Sequence, residues 1–171
     1  MEVIQETLIR TPIWVWFLLV YLISRGLKAR RPSHVKLAKL ALIPVLFTAW
    51  AIYDLVRLYG LTATTGGIWL AGAVLGAGAG WLLLARAKIT ADRPAGALAL
   101  PADNTLLPLL LLTFAIKFAF GVMAAVSPDL LAETGFRAAH LILSGFFIGV
   151  FIGKFTRYCS VFFAAPAPAQ G

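Results

Sequence analysis

Lys117 has the strongest claim on chemistry in this 171-residue chain, because it stands inside an apolar run, Leu106 to Val126, where an ammonium group finds no water. Counting about 1.5 Å per residue from Leu106 puts it on the order of 16 Å into roughly 30 Å of hydrocarbon. A charge at that depth costs from about 3 to well above 10 kcal/mol, which makes it a functional candidate with a partner to be named. Asp54 is the carboxylate that falls inside another apolar run. From Leu40 it lies about 21 Å in, so the two depths differ by on the order of 5 Å, within the reach of a lysine stem. Thr113, Lys117 and Gly121 share a helix face at four-residue spacing, and Tyr53 occupies the position equivalent to Lys117 in an internal repeat described below. Lys117, Asp54, Tyr53 and Thr113 therefore define a candidate polar seam suited to passage of an ion, a proton or an anion. Simpler uses of the same residues remain open: Asp54 and Arg57, three apart, can pair with each other, and Lys117 can bond backbone carbonyls or stand neutral.

Enzyme chemistry has weaker support. His140 and Ser144 stand four apart on one face, superficially a base and a nucleophile, but two residues of one helix rarely meet in nucleophilic geometry and no third residue orients the histidine. His140 at the outer interface and Ser144 on a small-residue face is the plainer reading. Cys159 is alone, so neither a dithiol relay nor a disulfide is encoded. His34 and His140 fall on opposite sides of the membrane and cannot share a metal or haem. No cofactor or metal is expected, and nothing points to catalysis.

The elements that must position these residues are membrane helices. The chain is 61% hydrophobic and 13% charged, with a mean hydropathy of +0.90. A soluble domain has an apolar share nearer one half and a charged share of about a quarter. An all-α membrane protein of five transmembrane helices is predicted, at residues 12–27, 37–58, 67–85, 106–126 and 136–155, in a single domain over 1–163. Thr11 before Pro12 has the form of an N-cap followed by proline at the first helical position. Acidic Glu2 and Glu6 precede this first helix and basic residues follow it, the reverse of a cleaved signal peptide, so it is expected to stay attached.

Basic residues border the spans asymmetrically. Arg25, Lys28, Arg30, Arg31, Lys36 and Lys39, then Arg86, Lys88 and Arg93, then Lys154 and Arg157 would all share one side. The opposite side would hold Arg10, Arg57 and Arg137. By the positive-inside rule the N-terminus is outside and the C-terminus inside. The net charge of +8 is thus accounted for by orientation, and no nucleic-acid partner is expected, because the basic residues border apolar spans. The lipid bilayer itself is the expected partner, and Arg25, Lys28, Arg30 and Arg31 are placed to meet anionic headgroups. Most of the tryptophans and tyrosines suit interfacial belts.

Self-comparison shows a second pattern. Leu42 to Tyr53 aligns without gaps on Leu106 to Lys117, with identities that include Pro44 with Pro108 and Ile52 with Ile116. In the helices that follow, Gly72, Gly76 and Gly80 match Gly145, Gly149 and Gly153. The chain reads as an anchor followed by two parallel helical hairpins. Glycine at every fourth position makes a flat face for close helix packing, either within the chain or in a homo-oligomer or membrane complex.

Ala87 to Thr105 is the longest polar stretch. Lys88 to Ala91 and Ala97 to Leu100 flank Asp92-Arg93-Pro94-Ala95-Gly96, the makings of a small cytoplasmic β-hairpin. Two strands alone are marginal in water, so this hairpin needs support. Asp103 or Asn104 is the expected cap of the next helix, and residues 164–171, rich in Ala and Pro, read as a disordered tail.

The opening Thr11-Pro12-Ile13-Trp14-Val15-Trp16, the arginine-rich first loop, Pro44, the loop from Ala91-Asp92 to Pro101 and the run Phe114-Ala115-Ile116-Lys117-Phe118 together resemble a family of uncharacterised small bacterial multi-pass membrane proteins. That resemblance spans nearly the whole chain and implies an inner-membrane protein without naming a reaction. A weaker likeness, in hairpin and helix order, is to membrane proteins of the CcdC type associated with cytochrome c biogenesis. The paired cysteines of a redox role are not present here. The two function classes left are a small transport or permeation unit and a non-catalytic scaffold or assembly subunit.

Overall fold

The computed structural model describes residues 13–164. In chain order its elements are α1 (Ile13–Ala29), β1 (Ser33–Lys36), α2 (Leu37–Tyr59), α3 (Ala63–Leu83), β2 (Thr90–Asp92), β3 (Ala97–Leu100), α4 (Leu106–Val126), a 3-10 turn (Pro128–Ala132) and α5 (Thr134–Ala164). The protein is mostly helical, and α2, α3, α4 and α5 are each long and apolar enough to cross a membrane. Helix α1 has 17 residues, short of the about 20 that a straight crossing needs. The proposed cap at Thr11 and Pro12 and the tail beyond Ala164 lie outside the described residues.

The contacts divide the chain into two compact units, one of residues 13–31 with 102–130 and one of residues 32–101 with 131–164. In the first, α1 lies against α4. Its C-terminal end meets the start of α4 at Gly26, where a Cβ would stand 2.8 Å from the Leu107 Cα. The Asp103 amide donates to the Ala29 carbonyl at 2.8 Å, satisfying one of the orphan acceptors at the end of α1. Asp103 also orders the entry to α4, its Oδ1 accepting from the Thr105 amide at 2.9 Å and from the Thr105 hydroxyl at 2.6 Å.

In the second unit α5 packs against both α2 and α3. Helix α2 runs antiparallel to it, since Tyr59 meets His140 while Phe47 meets Phe151. Its inward stripe is Ile43, Pro44, Phe47, Ala51 and Leu55, the three-to-four spacing of one helix face. Outward, Val45, Ile52 and Val56 are exposed, as suits lipid contact. The turn into α3 is fixed by Gly60 at φ +70 and by a capping box. In that box the Thr65 amide donates to the Thr62 hydroxyl and the Thr62 amide to the Thr65 hydroxyl.

Helices α3 and α5 run parallel and touch through backbone. A Cβ on Gly72, Gly76 or Gly80 would collide with the carbonyl of Ile142, Phe146 or Val150 respectively. One on Gly145, Gly149 or Gly153 would collide with that of Trp69, Ala73 or Ala77. The sequence interval that carries Gly72 to Gly145 also carries Trp69 to Ile142, Ala73 to Phe146 and Ala77 to Val150. Each contact is therefore exchanged with another when the helices are swapped. This is the self-complementary geometry of a symmetric parallel helix dimer, formed inside one chain.

The hairpin of β2 and β3 gains a third, antiparallel strand, giving the order β1-β3-β2. Val35, Leu98 and Ala91 are in register across the three strands, with Leu98 fully buried. Ser33–Lys36, expected as basic loop, is thus the support the hairpin requires. The first strand starts at Thr90 where Lys88 was expected. The turn closes with Gly96 at φ +60 and its amide bonded to the Arg93 carbonyl at 3.0 Å. Arg93 reaches from this turn to the last turn of α5, where its guanidinium donates to the carbonyls of Phe162 and Phe163.

Helix α5 continues nine residues beyond the expected end at Phe155. Arg157 lies beyond that expected end, but its guanidinium stands 5.4 Å from the Trp81 ring centroid, and Arg93 satisfies carbonyls at the far end.

Candidate functional site

The seam residues fall in two groups. Thr113 and Lys117 lie on one buried face of α4, in the first unit. Thr113 is fully buried and its hydroxyl donates to the Leu109 carbonyl at 2.7 Å, one turn back, so its donor is satisfied within its own helix. Lys117 is 8% exposed. Asp54 and Tyr53 belong to α2 in the second unit. Tyr53 is exposed, 58% by area, and turns to Arg57, whose guanidinium makes a long 3.5 Å contact to its hydroxyl and stands 5.8 Å from its ring centroid.

A polar group that helix spacing alone did not reveal lies where α2 ends and α5 begins. His140 is buried, with its Nδ1 2.9 Å from the Tyr59 hydroxyl and its ring edge-on to the tyrosine at 5.6 Å between centroids. Asp54 and Arg137 are both near enough for their charges to act on that hydroxyl. Ser144, one turn further along α5, is also buried. Sequence spacing left His140 without a partner, and the structure supplies Tyr59. The signal was available only in part, because the partner depends on α2 and α5 packing antiparallel with their ends level.

Lys154 is the second surprise. It is 3% exposed within α5, whereas a basic residue counted with the charged border of a span is expected to be exposed. Lys28, Arg30 and Arg31 are exposed and Arg25 is half-buried, clustered at the end of α1, where cations also complement the helix dipole. Gly72, Gly76, Gly80, Gly145, Gly149 and Gly153 all stand in the contact of α3 with α5. Among the described residues no group of three or more His, Cys, Asp or Glu is arranged to hold a metal. Cys159 is a free thiol.

Among the described residues, the ionisable groups set within these helices can hold charge and protons. No curated protein matches the chain, and no solved structure does. One family model covers residues 2–170, nearly the entire length, and by that match the chain belongs to DUF6622, a family of unknown function.

Proposed function

We propose that this chain is a multi-pass protein of a bacterial inner membrane, N-terminus outside and C-terminus inside, that handles a small anion or protons at cationic side chains held within its helices. The observation that supports this reading is the burial of two lysines in spans of high mean hydropathy. Lys117 is 8% exposed and Lys154 3%, in helices long and apolar enough to cross a membrane. Each would cost several kcal/mol to place in hydrocarbon, and side chains kept at that cost commonly mark an ion or substrate path. Asp54 and His140 add ionisable groups to the same class of helix.

The alternative, a scaffold or assembly subunit, relied on glycine faces free to bind a larger complex. Those six glycines are engaged between α3 and α5 of one chain, so an assembly role would need a different surface. Duplication of a hairpin is supported by the exchange symmetry of the same contact.

The test is reconstitution of the full chain in sealed liposomes, with proton, chloride and phosphate fluxes followed separately. Flux of at least one of them is expected, with Lys117→Met removing it while circular dichroism stays helical. A wild-type protein that passes none of the three, or a Lys117→Met variant with undiminished flux, overturns the reading.

A further inference from the structure

We propose that Tyr59 and His140 form a proton-binding site across the contact of α2 with α5, where uptake of a proton reverses the hydrogen bond that joins the two helices. The site needs no transport role for Lys117 and stands whether or not the chain passes ions. Its geometry is a 2.9 Å hydrogen bond between the Tyr59 hydroxyl and the Nδ1 of a buried imidazole. Histidine is the side chain whose ordinary titration lies near neutral pH. Tyr59 is the last residue of α2 and His140 the seventh of α5, about 9 Å from the start of that helix. The pair is therefore near helix ends, where interfacial water can deliver a proton, and not at the centre of a span.

The polarity of the bond follows from the two groups. A phenol is the better donor and a neutral imidazole nitrogen the better acceptor, so the ring carries its hydrogen on Nε2 and Nδ1 accepts from Tyr59. A proton arriving from water adds to the Nδ1 lone pair, giving an imidazolium with hydrogen on both nitrogens. Nδ1 then donates to the phenol oxygen, and the hydroxyl hydrogen turns to another acceptor, Asp54 or water. No bond to carbon forms or breaks.

The charges around the pair can be named for each element of this unit. From α2 come Tyr59 itself and Asp54, with Arg57 turned to Tyr53 on the exposed face. From α5 comes Arg137, one turn before His140. The α3 sequence, ATTGGIWLAGAVLGAGAGWLL, has no titratable side chain. Asp54 and Arg137 both stand near enough for their charges to act on the Tyr59 hydroxyl, so the site lies between a carboxylate and a guanidinium.

The chain has two histidines, so His34→Gln leaves His140 as the sole reporter; His34 is exposed on β1. The full chain with this change, in lipid nanodiscs, would carry 15N in its histidine and 13C at tyrosine Cζ, with Tyr59→Phe used to assign the Tyr59 line. Between about pH 5 and 9 the expected result is a neutral ring with hydrogen on Nε2 at the alkaline end and an imidazolium at the acid end, the Tyr59 Cζ line moving at the same midpoint. Asp54→Asn should lower that midpoint by about half a pH unit or more. Three results overturn the proposal: a His140 that holds one protonation state throughout, a neutral ring with its hydrogen on Nδ1, or a Tyr59 line that ignores the histidine. The titration of the His34→Gln protein decides the matter even if the Asp54 variant does not fold.

Discussion

Where α5 meets α3 the backbones touch through six glycines, whereas where it meets α2 the contact is made by side chains, Phe47 on Phe151 and Tyr59 on His140. One helix thus carries two kinds of packing. Lipid tails are as apolar as leucine, so neither contact gains from hiding hydrocarbon from water; both rest on close packing and polar bonds. The glycine contact has no adjustable part, because each glycine faces a carbonyl of a neighbouring helix and no rotamer can move out of the way. The aromatic contact has rotamers on both sides and can relax. The α3 side should therefore fail abruptly on enlargement, and the α2 side should fail by degrees on truncation.

The sharpest way to break that comparison is Gly76→Val beside Gly78→Val. A Cβ at position 76 runs into the Phe146 backbone, while nothing lies within 4 Å of one at position 78. Two glycines two residues apart on the same helix then give opposite results. Gly76→Val should cost roughly 3 kcal/mol or more, or prevent folding, since backbone has to move to admit it. Gly78→Val should be nearly neutral in thermal unfolding followed in mild detergent. Because the contact is exchanged when α3 and α5 are swapped, Gly149→Val should match Gly76→Val. Equal tolerance at 76 and 78 would remove the backbone contact from the argument.

Next in size is Phe47→Ala. Phe47 is fully buried and stacks on Phe151 at 5.1 Å and near Trp50 at 6.3 Å. Truncation in a soluble core would cost about 3 to 5 kcal/mol. In lipid the transfer part of that loss is small, so a drop of about 2 kcal/mol is expected from lost contacts alone. Phe47→Leu should recover roughly half of it, measured as the same unfolding transition. A loss at Phe47 larger than that at Gly76 would reverse the order of the two sides.

The same contrast explains what could be read from residues alone. Glycine every fourth position announces a face without reference to any other helix, because the residue type is itself the geometric requirement. Phe47 and Phe151 carry no such mark; phenylalanine is abundant here and most copies could face lipid. The hairpin of β2 and β3 was legible from Arg93-Pro94-Ala95-Gly96, but β1 was not, since Ser33–Lys36 is a strand only because β3 offers it an edge. Arg157 looked like a charge beyond a helix end because Arg93 and Trp81, which let α5 continue, are far away in sequence. Properties written in one segment can be read; those that need the pairing of two segments cannot.

The smallest effect expected is also the one that best separates the two sides of α5. Tyr59→Phe removes one hydroxyl and leaves the ring, and with it the edge-on contact to His140. Hydrogen bonds between helices in membranes average about 0.6 kcal/mol in mutant cycles, so the single variant should lose about that much. His140→Gln should lose somewhat more, because burial is disturbed as well. If the bond between them is the shared element, the double variant should cost less than the two single losses combined by about the same 0.6 kcal/mol. At Gly76 and Gly149, where two enlargements act on one rigid contact, the second change should add almost nothing once the first has parted the helices. Simple addition at Tyr59 and His140 would mean the 2.9 Å contact contributes nothing to stability, and the α2 side would then rest on Phe47 and its neighbours alone.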